Sequence, residues 1–359
     1  MTRAPASTLA GASPGGGSLR SAARRFATGL GRALGALALT SLGLLLVTFL
    51  IGRASPIDPV LKVVGDHASP ETYQAARHAM GLDRPLAVQF VRYVRDALHG
   101  DLGQSTSTGR PVLVDLLTYF PATLELATLS ILFGVLLGVP AGVWAAQRHN
   151  RAADHAIRIV ALVGYSVPVF WLGLMGLLVF YSKLGWVAGP GRLDDVYLYT
   201  VPAWSNAMLI DTLRAGNAQA FGNAVRHLVL PVALLAFFSI AYIARITRAL
   251  TLEEIGKEYV LTARAKGAPT AHLLWRHVMP NIAAPLVTVI ALSYAMLLEG
   301  AVLTETVFSW QGIGLYMTNA LFAADMPAVL GGTLLIGLAF VTLNACADFI
   351  SHLIEPRSE

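Results

Sequence analysis

The chain has 359 residues, 55% hydrophobic and 13% charged, against roughly 45–50% and about 25% in an ordinary soluble domain. A mean hydropathy of +0.61 over that length exceeds what one buried core absorbs, since a soluble fold must still cover its surface with polar groups, so the excess faces lipid. The same composition excludes a wholly disordered chain, and a single cysteine, Cys346, excludes a disulfide scaffold. The net charge of +5 is therefore a question of membrane sidedness, not of nucleic acid, which is not expected as a partner.

A bilayer core demands about 20 mostly apolar residues per helix. Six windows meet this approximately: 33–52, 122–146, 156–182, 228–243, 284–307 and 328–350. Residues 1–24 carry Arg3, Arg20 and Arg24, no acid, and a Gly-Ala-Ser-Pro-Gly-Gly-Gly-Ser run, and read as a flexible basic cytoplasmic tail. The first window exceeds the roughly 7–15 residues of an export-signal core, so it reads as a retained span. Gly11–Gly15 also matches G-x-S-x-G, but lacks the strand and helix that such a nucleophile turn needs.

Between the first two windows, Ser69-Pro70-Glu71 predicts a capped helix start with a stop at Gly81. A second helix is predicted from Pro85 to Gly100, with Leu86, Phe90, Val94 and Leu98 at helical spacing. These two helices make residues 25–121 a first span plus an extracytoplasmic helical segment, ahead of a five-span core at 122–357. The stretch 183–227, with Trp186 and the Asp194-Asp195 pair, has no legible fold.

Basic residues set the orientation. With both termini in the cytoplasm, the inside segments hold Arg3, Arg20, Arg24, Arg25, Arg32, Arg148, Arg151, Arg158, Arg245, Arg248, Lys257, Arg264, Lys266, Arg276 and Arg357, which is 15 of the 26 Lys and Arg. The two long outside segments, 53–121 and 183–227, hold ten acids, among them Asp58, Asp101 and Asp211. That asymmetry fits the positive-inside rule.

No site for chemistry is legible. The one Gly-Lys pair, Gly256-Lys257, is preceded by Thr251 where a phosphate loop needs glycine and followed by Glu258 where it needs a hydroxyl. None of the nine histidines precedes a glutamate, and one cysteine cannot build a thiolate site. No cofactor, metal or catalytic residue is expected in this chain.

The inside loop 250–281 is too polar to span and too apolar to be a free linker. It reads as a helix from Glu253 to a stop at Gly267, then a second from Thr270 to a stop at Pro280. Tyr259, Leu261, Leu273, Leu274 and Trp275 could bury on a partner while Arg264, Lys266 and Arg276 meet acids; a helix pair lying on lipid headgroups is the alternative. Within the spans, Gly134, Gly138 and Gly142 permit a close helix contact, inside one subunit or between two. Pro140, Pro168 and Pro231 read as tolerated kinks, and Cys346 as a small buried residue. Glu125, Glu299 and Asp348 each need a cavity, a partner or a membrane edge, and Glu299 is the deepest.

Thr262-Ala263-Arg264-Ala265-Lys266-Gly267, with His277-Val278-Met279-Pro280 beginning ten residues beyond the glycine, resembles the cytoplasmic loop signature of binding-protein-dependent ABC importer permeases, in the T-A-R-A-K-G form of their peptide and nickel branch. Leu261, Thr262 and Ala263 stand at the consensus E-A-A, and His277 at its isoleucine. His99-Gly100-Asp101-Leu102-Gly103, the block 164–171 and Leu303-Thr304-Glu305-Thr306-Val307-Phe308-Ser309-Trp310 are similar to other blocks of that branch. Gln311 replaces a usual proline, and Ala324-Asp325-Met326-Pro327 replaces R-D-Y-P. The length of the loop around 208–212 resembles that of the dipeptide permease B-type subunit.

The resemblance covers about residues 25–357. It implies an all-α integral membrane protein with six transmembrane helices, the type I ABC importer permease fold, in a bacterial plasma membrane. It implies a translocation subunit for dipeptides or short peptides, with nickel or oligopeptides as the runner-up cargo; an ATP-independent carrier or channel is the alternative class. A paralogous permease, two ATP-binding subunits that use ATP and Mg, and an extracytoplasmic binding protein are the implied partners. The expected ATPase-coupling residues are Tyr259, Thr262, Ala263, Arg264, Ala265, Lys266, Gly267 and Pro280. Those expected along the translocation path are Glu299, Glu305, Tyr165, Ser166 and Trp171.

Overall fold

The computed structural model describes residues 17–54, 58–65 and 67–354; the expected tail at 1–16 lies outside them. The first helix, α1 (Gly17–Ala54), begins inside the stretch read as tail, and its apolar part is Gly35–Ala54. Asp58 accepts a hydrogen bond from Val60 N at 2.8 Å and starts α2 (Pro59–Val64). Ser69 Oγ accepts from Thr72 N at 3.2 Å and starts α3 (Pro70–Ala79), as the Ser-Pro-Glu sequence predicts. α4 (Leu86–Leu98) lies against α1, where Phe49 meets the Phe90 ring at 5.4 Å and the Tyr93 ring at 5.8 Å. Leu86 and Leu98, expected on the packed face, are exposed, because only the middle of α4 reaches α1.

Two long helices form the central pair, α5 (Val112–Gln147) and, later in the chain, Ala218–Ile255. Gly134, Gly138 and Gly142 face that second helix. A Cβ on Gly142 would stand 2.6 Å from the Ala244 carbonyl oxygen and 2.7 Å from Thr247 Cβ, so the glycine stripe serves contact within this subunit.

The third window is a broken span. α6 (Ala152–Ser166) and α7 (Val169–Gly176, widening into π turns over Leu177–Lys183) are bent by 98° at Val167-Pro168. Pro168 therefore ends a helix, whereas Pro140 and Pro231 remain inside theirs. Val167 is extended (φ −93°, ψ 127°), as a residue before proline prefers. The unread stretch folds as α8 (Asp195–Leu198), α9 (Met208–Arg214) and the opening turns of α10 (Ala218–Ile255).

After α10 come α11 (Glu258–Ala265), α12 (Thr270–His272) and α13 (Met279–Phe308), joined by π turns at Leu273–Val278. Pro280 stops nothing: Thr270–Phe308 is one continuous helical run. A proline ring inside a helix clashes with the carbonyl four residues back, and the widened turns just before Pro280 leave room for it. α14 (Ile313–Phe322) and α15 (Met326–Ile354) complete the described chain. Among the described residues, five helices are long and apolar enough to cross a membrane, six if α6 and α7 form one bent span. Cys346, read as buried, is exposed on α15.

The tight α5–α10 contact generates a stability prediction. Gly142→Val overpacks against backbone and should cost about 1–3 kcal/mol, read as a lower melting temperature in detergent. Gly222→Ala, on an open face of α10, should be neutral or stabilising; equal melting of the two variants would contradict the packing assignment.

Candidate functional site

The 253–281 segment folds as a hairpin seated on the ends of the central pair. Val260, Leu274 and Val278 are buried with Val143 of α5, and Ile255 and Met279 pack beside them. Gly267 turns the hairpin at φ +86°, with nothing within 4 Å of where a Cβ would stand. Its role is thus the left-handed backbone, which glycine adopts without strain. Leu273 and Leu274 belong to the chain's own core at 2% exposure each, which removes them from the set expected to meet a partner. Leu261 at 50% and Trp275 at 57% remain on the outward face with Thr262, Arg264, Ala265, Lys266 and Gly267.

The base of the hairpin is fastened by a polar cluster absent from the sequence reading. Glu254, at the end of α10, accepts from the Tyr259 hydroxyl at 2.6 Å and pairs with Lys257 Nζ at 2.6 Å. The same hydroxyl accepts from Asn281 Nδ2 at 2.7 Å. Partial burial and the Glu254 carboxylate push the Tyr259 phenol up to about 12, so it stays a donor. α10, α11 and α13 are thereby tied at one point. Nearby, Arg248 of α10 grips buried Asp154 through Nε and, at 2.8 Å, through Nη2, holding the start of α6.

A cavity of about 230 Å³ opens at the break between α6 and α7. Gly164 and Val169, on either side of the break, line it with Phe238, Ser239 and Tyr242 of α10 and Ser293, Met296 and Gly300 of α13. Ser239 and Ser293 hydroxyls lie 3.0 Å apart at its wall. Of the residues expected along a path, Ser166 and Trp171 flank the break and are exposed, Ser166 donating to the Leu162 carbonyl at 2.8 Å. The Tyr165 side chain lies outside those described. Glu299 is exposed on α13 but is not among the cavity's lining residues.

Glu305 is elsewhere and differently employed. It is fully buried, accepting from Thr123 Oγ1 at 2.5 Å and from Leu315 N at 2.9 Å, so its carboxylate binds α5 and the first turn of α14 to α13. A carboxylate with these donors is a cross-brace between α5, α13 and α14. Beside it, Trp310 Nε1 donates to the Ala122 carbonyl at 3.1 Å and its ring lies 5.3 Å from the Arg192 guanidinium. Glu125, read as a possible edge acid, accepts from Met208 N and Leu209 N at 3.0 and 2.7 Å and so caps α9. Asp325 accepts from Ser105 Oγ at 2.6 Å and Ser107 N at 3.0 Å, tying the 101–111 loop to the α14–α15 turn. Nothing local in the sequence pairs these carboxylates with their donors: Thr123 and Glu305 stand 182 positions apart, and Ser105 and Asp325 stand 220.

The chain matches the family described as "Binding-protein-dependent transport system inner membrane component" over residues 138–359 and its N-terminal companion, "Binding-prot-dependent transport system membrane comp, N-term", over 26–127. Among curated proteins it is 43% identical to the probable D,D-dipeptide transport system permease protein DdpB of Escherichia coli (strain K12), across 89% of this chain and 94% of that protein. It is 41% identical to the di/tripeptide transport system permease protein DppB of Pseudomonas aeruginosa (strain UCBPP-PA14), across 91% and 97%. It is 38% identical to the dipeptide transport system permease protein DppB of Escherichia coli (strain K12), again across 91% and 97%. A solved structure titled as inward facing conformations of the MetNI methionine ABC transporter aligns at a TM-score of 0.47 and 17% identity, over 65% of this chain and 93% of that one. The chain belongs to the family of binding-protein-dependent transport system inner membrane components.

Two measurements check the braces. Glu305→Ala leaves the Thr123 hydroxyl and Leu315 N–H without their acceptor and should cost at least about 2 kcal/mol, lowering the yield and melting temperature of purified protein; Glu299→Gln should change neither. Burial raises the Asp325 carboxyl, but bonds from Ser105 and Ser107 outweigh it and hold it below the ordinary carboxylate range. Its contribution is therefore full above about pH 4 and lost as pH falls through the depressed value. Proteolysis in the 101–111 loop should accelerate only in that acid range, and Asp325→Asn should show the acid rate at neutral pH.

Proposed function

We propose that this chain is one of two permease subunits of an ATP-driven importer for dipeptides or short peptides. The observation that carries the reading is the hairpin: a rigidly seated element with an outward face of Leu261, Trp275, Arg264 and Lys266, in a member of a binding-protein-dependent transport family. The peptide cargo is supported by relatives whose names specify dipeptides or di/tripeptides and which align nearly end to end. In this reading both termini lie in the cytoplasm of a bacterial cell and residues 60–115 lie outside. Two ATP-binding subunits supply the chemistry, a paralogous permease completes the pathway, and an extracytoplasmic binding protein delivers the peptide.

The mechanism follows from which parts are rigid. ATPase closure displaces the outward face of α11; the Glu254–Tyr259–Asn281 cluster and the Val143–Val260–Leu274–Val278 seat pass that displacement to α5, α10 and α13. Of these, α10 and α13 wall the cavity at the α6–α7 break, so shifting them changes which side has access. Thr262, Ala263, Ala265 and Gly267 keep the knob slim, and Arg264 and Lys266 meet carboxylates of the ATPase.

Two outcomes check this reading. Trp275→Glu should leave the complex assembled and its ATP hydrolysis measurable, while peptide uptake falls at least ten-fold; unimpaired uptake would remove the docking role. A cysteine at exposed Thr106 in a Cys346→Ser background should react with an impermeant maleimide from outside the cell, and reaction only from the cytoplasmic side would reverse the topology.

A further inference from the structure

A second cavity, of about 460 Å³, lies further along the same two helices, α6 and α10. It gathers four basic side chains, His155, Arg158, Arg245 and Arg248, over the apolar residues Ile159 and Leu162. Ala161 and Arg245 of this cavity stand about one helical turn from Gly164 and Tyr242 of the first. Phe238, Tyr242 and Arg245 recur at helical spacing along α10, and the Arg245 guanidinium lies 6.0 Å from the Tyr242 ring centroid.

Among the described residues, no carboxylate lines this mouth. Asp154, one turn before Arg158 on α6, is buried and committed to Arg248 and to Asn150 N at 3.0 Å, with His149 at 3.6 Å. Arg158 is exposed and forms no ion pair among the described residues. A mouth lined by basic side chains thus sits about one helical turn from a cavity whose lining includes Ser239, Ser293 and Tyr242.

We propose that this mouth is a carboxylate subsite, where Arg158 and Arg245 hold the free C-terminal carboxylate of a peptide leaving the cavity. The inference rests on the reading of the cavity as the translocation path, and adds to it the chemical group that the path selects. Guanidinium forks match a carboxylate in two parallel hydrogen bonds. Ile159 and Leu162 offer an apolar floor to the adjoining side chain. An anionic phospholipid also presents an anionic head, and the neighbouring cavity is lined mainly by apolar side chains, so phospholipid is the competing occupant that the experiment separates. Because the mouth is open to solvent, the hold is weak, as rapid release requires.

The test uses the assembled transporter, purified without binding protein, with dialanine and dialanine amide as probes in saturation-transfer NMR. Dialanine should give a clear signal and its amide a signal at least three-fold weaker. Arg158→Gln and Arg245→Gln should each lower the dialanine signal at least three-fold, with Arg158→Lys restoring at least half. Size-exclusion profiles verify assembly; Arg158 is exposed, so its variants are expected to assemble. Equal signals from the two probes, or dialanine binding unchanged in the Gln variants, overturns the subsite. Loss of co-purifying anionic phospholipid with dialanine binding unchanged overturns it in favour of a lipid site. Dipeptide uptake by the wild-type transporter, measured in parallel, tests the transport reading separately.

Discussion

The close contact between α5 and α10 is the constraint on which the other parts depend. With no hydrophobic force between helices in lipid, association rests on packing, and three glycines spaced four apart bring the two backbones together. This fixes α5 as a strut with work at both ends. At one end Ala122, Thr123 and Glu125 receive Trp310, Glu305 and the start of α9. At the other, Val143 receives the hairpin. A displacement of the hairpin therefore acts on the helices that carry the opposite end of the molecule.

Irregular backbone is confined to places where protein can satisfy it. Inside a bilayer, unpaired amide groups cost several kcal/mol each unless they are buried in protein or line a wet cavity. The α6–α7 break at Pro168 lies beside the 230 Å³ cavity, which supplies such a setting. The π turns before Pro280 are seated on α5 and α10.

Much of this architecture was legible from local rules. Apolar run length located the spans, Ser69-Pro70 marked the start of α3, and Gly267 marked the hairpin turn, because each reports a local backbone requirement. What escaped was long-range. The bracing role of Glu305 escaped because only the fold brings Thr123, 182 positions away, to its oxygen. Leu273 and Leu274 looked available to a partner because Val143 is remote in sequence. The Glu254–Tyr259–Asn281 cluster combines a helix end, a loop tyrosine and an amide across a turn, and no periodicity announces it. Pro280 misled because the rule that proline ends helices assumes regular α turns before it.

The central claim is that the fastened base of the hairpin carries force between ATP hydrolysis and the cavity. Asn281→Ala combined with Tyr259→Phe removes the shared hydroxyl without touching the outward face. Binding-protein-stimulated ATP hydrolysis and peptide uptake, measured together in proteoliposomes, test the claim most directly. The account predicts that hydrolysis persists while peptides carried per ATP fall at least five-fold. An unchanged ratio of uptake to hydrolysis would contradict it.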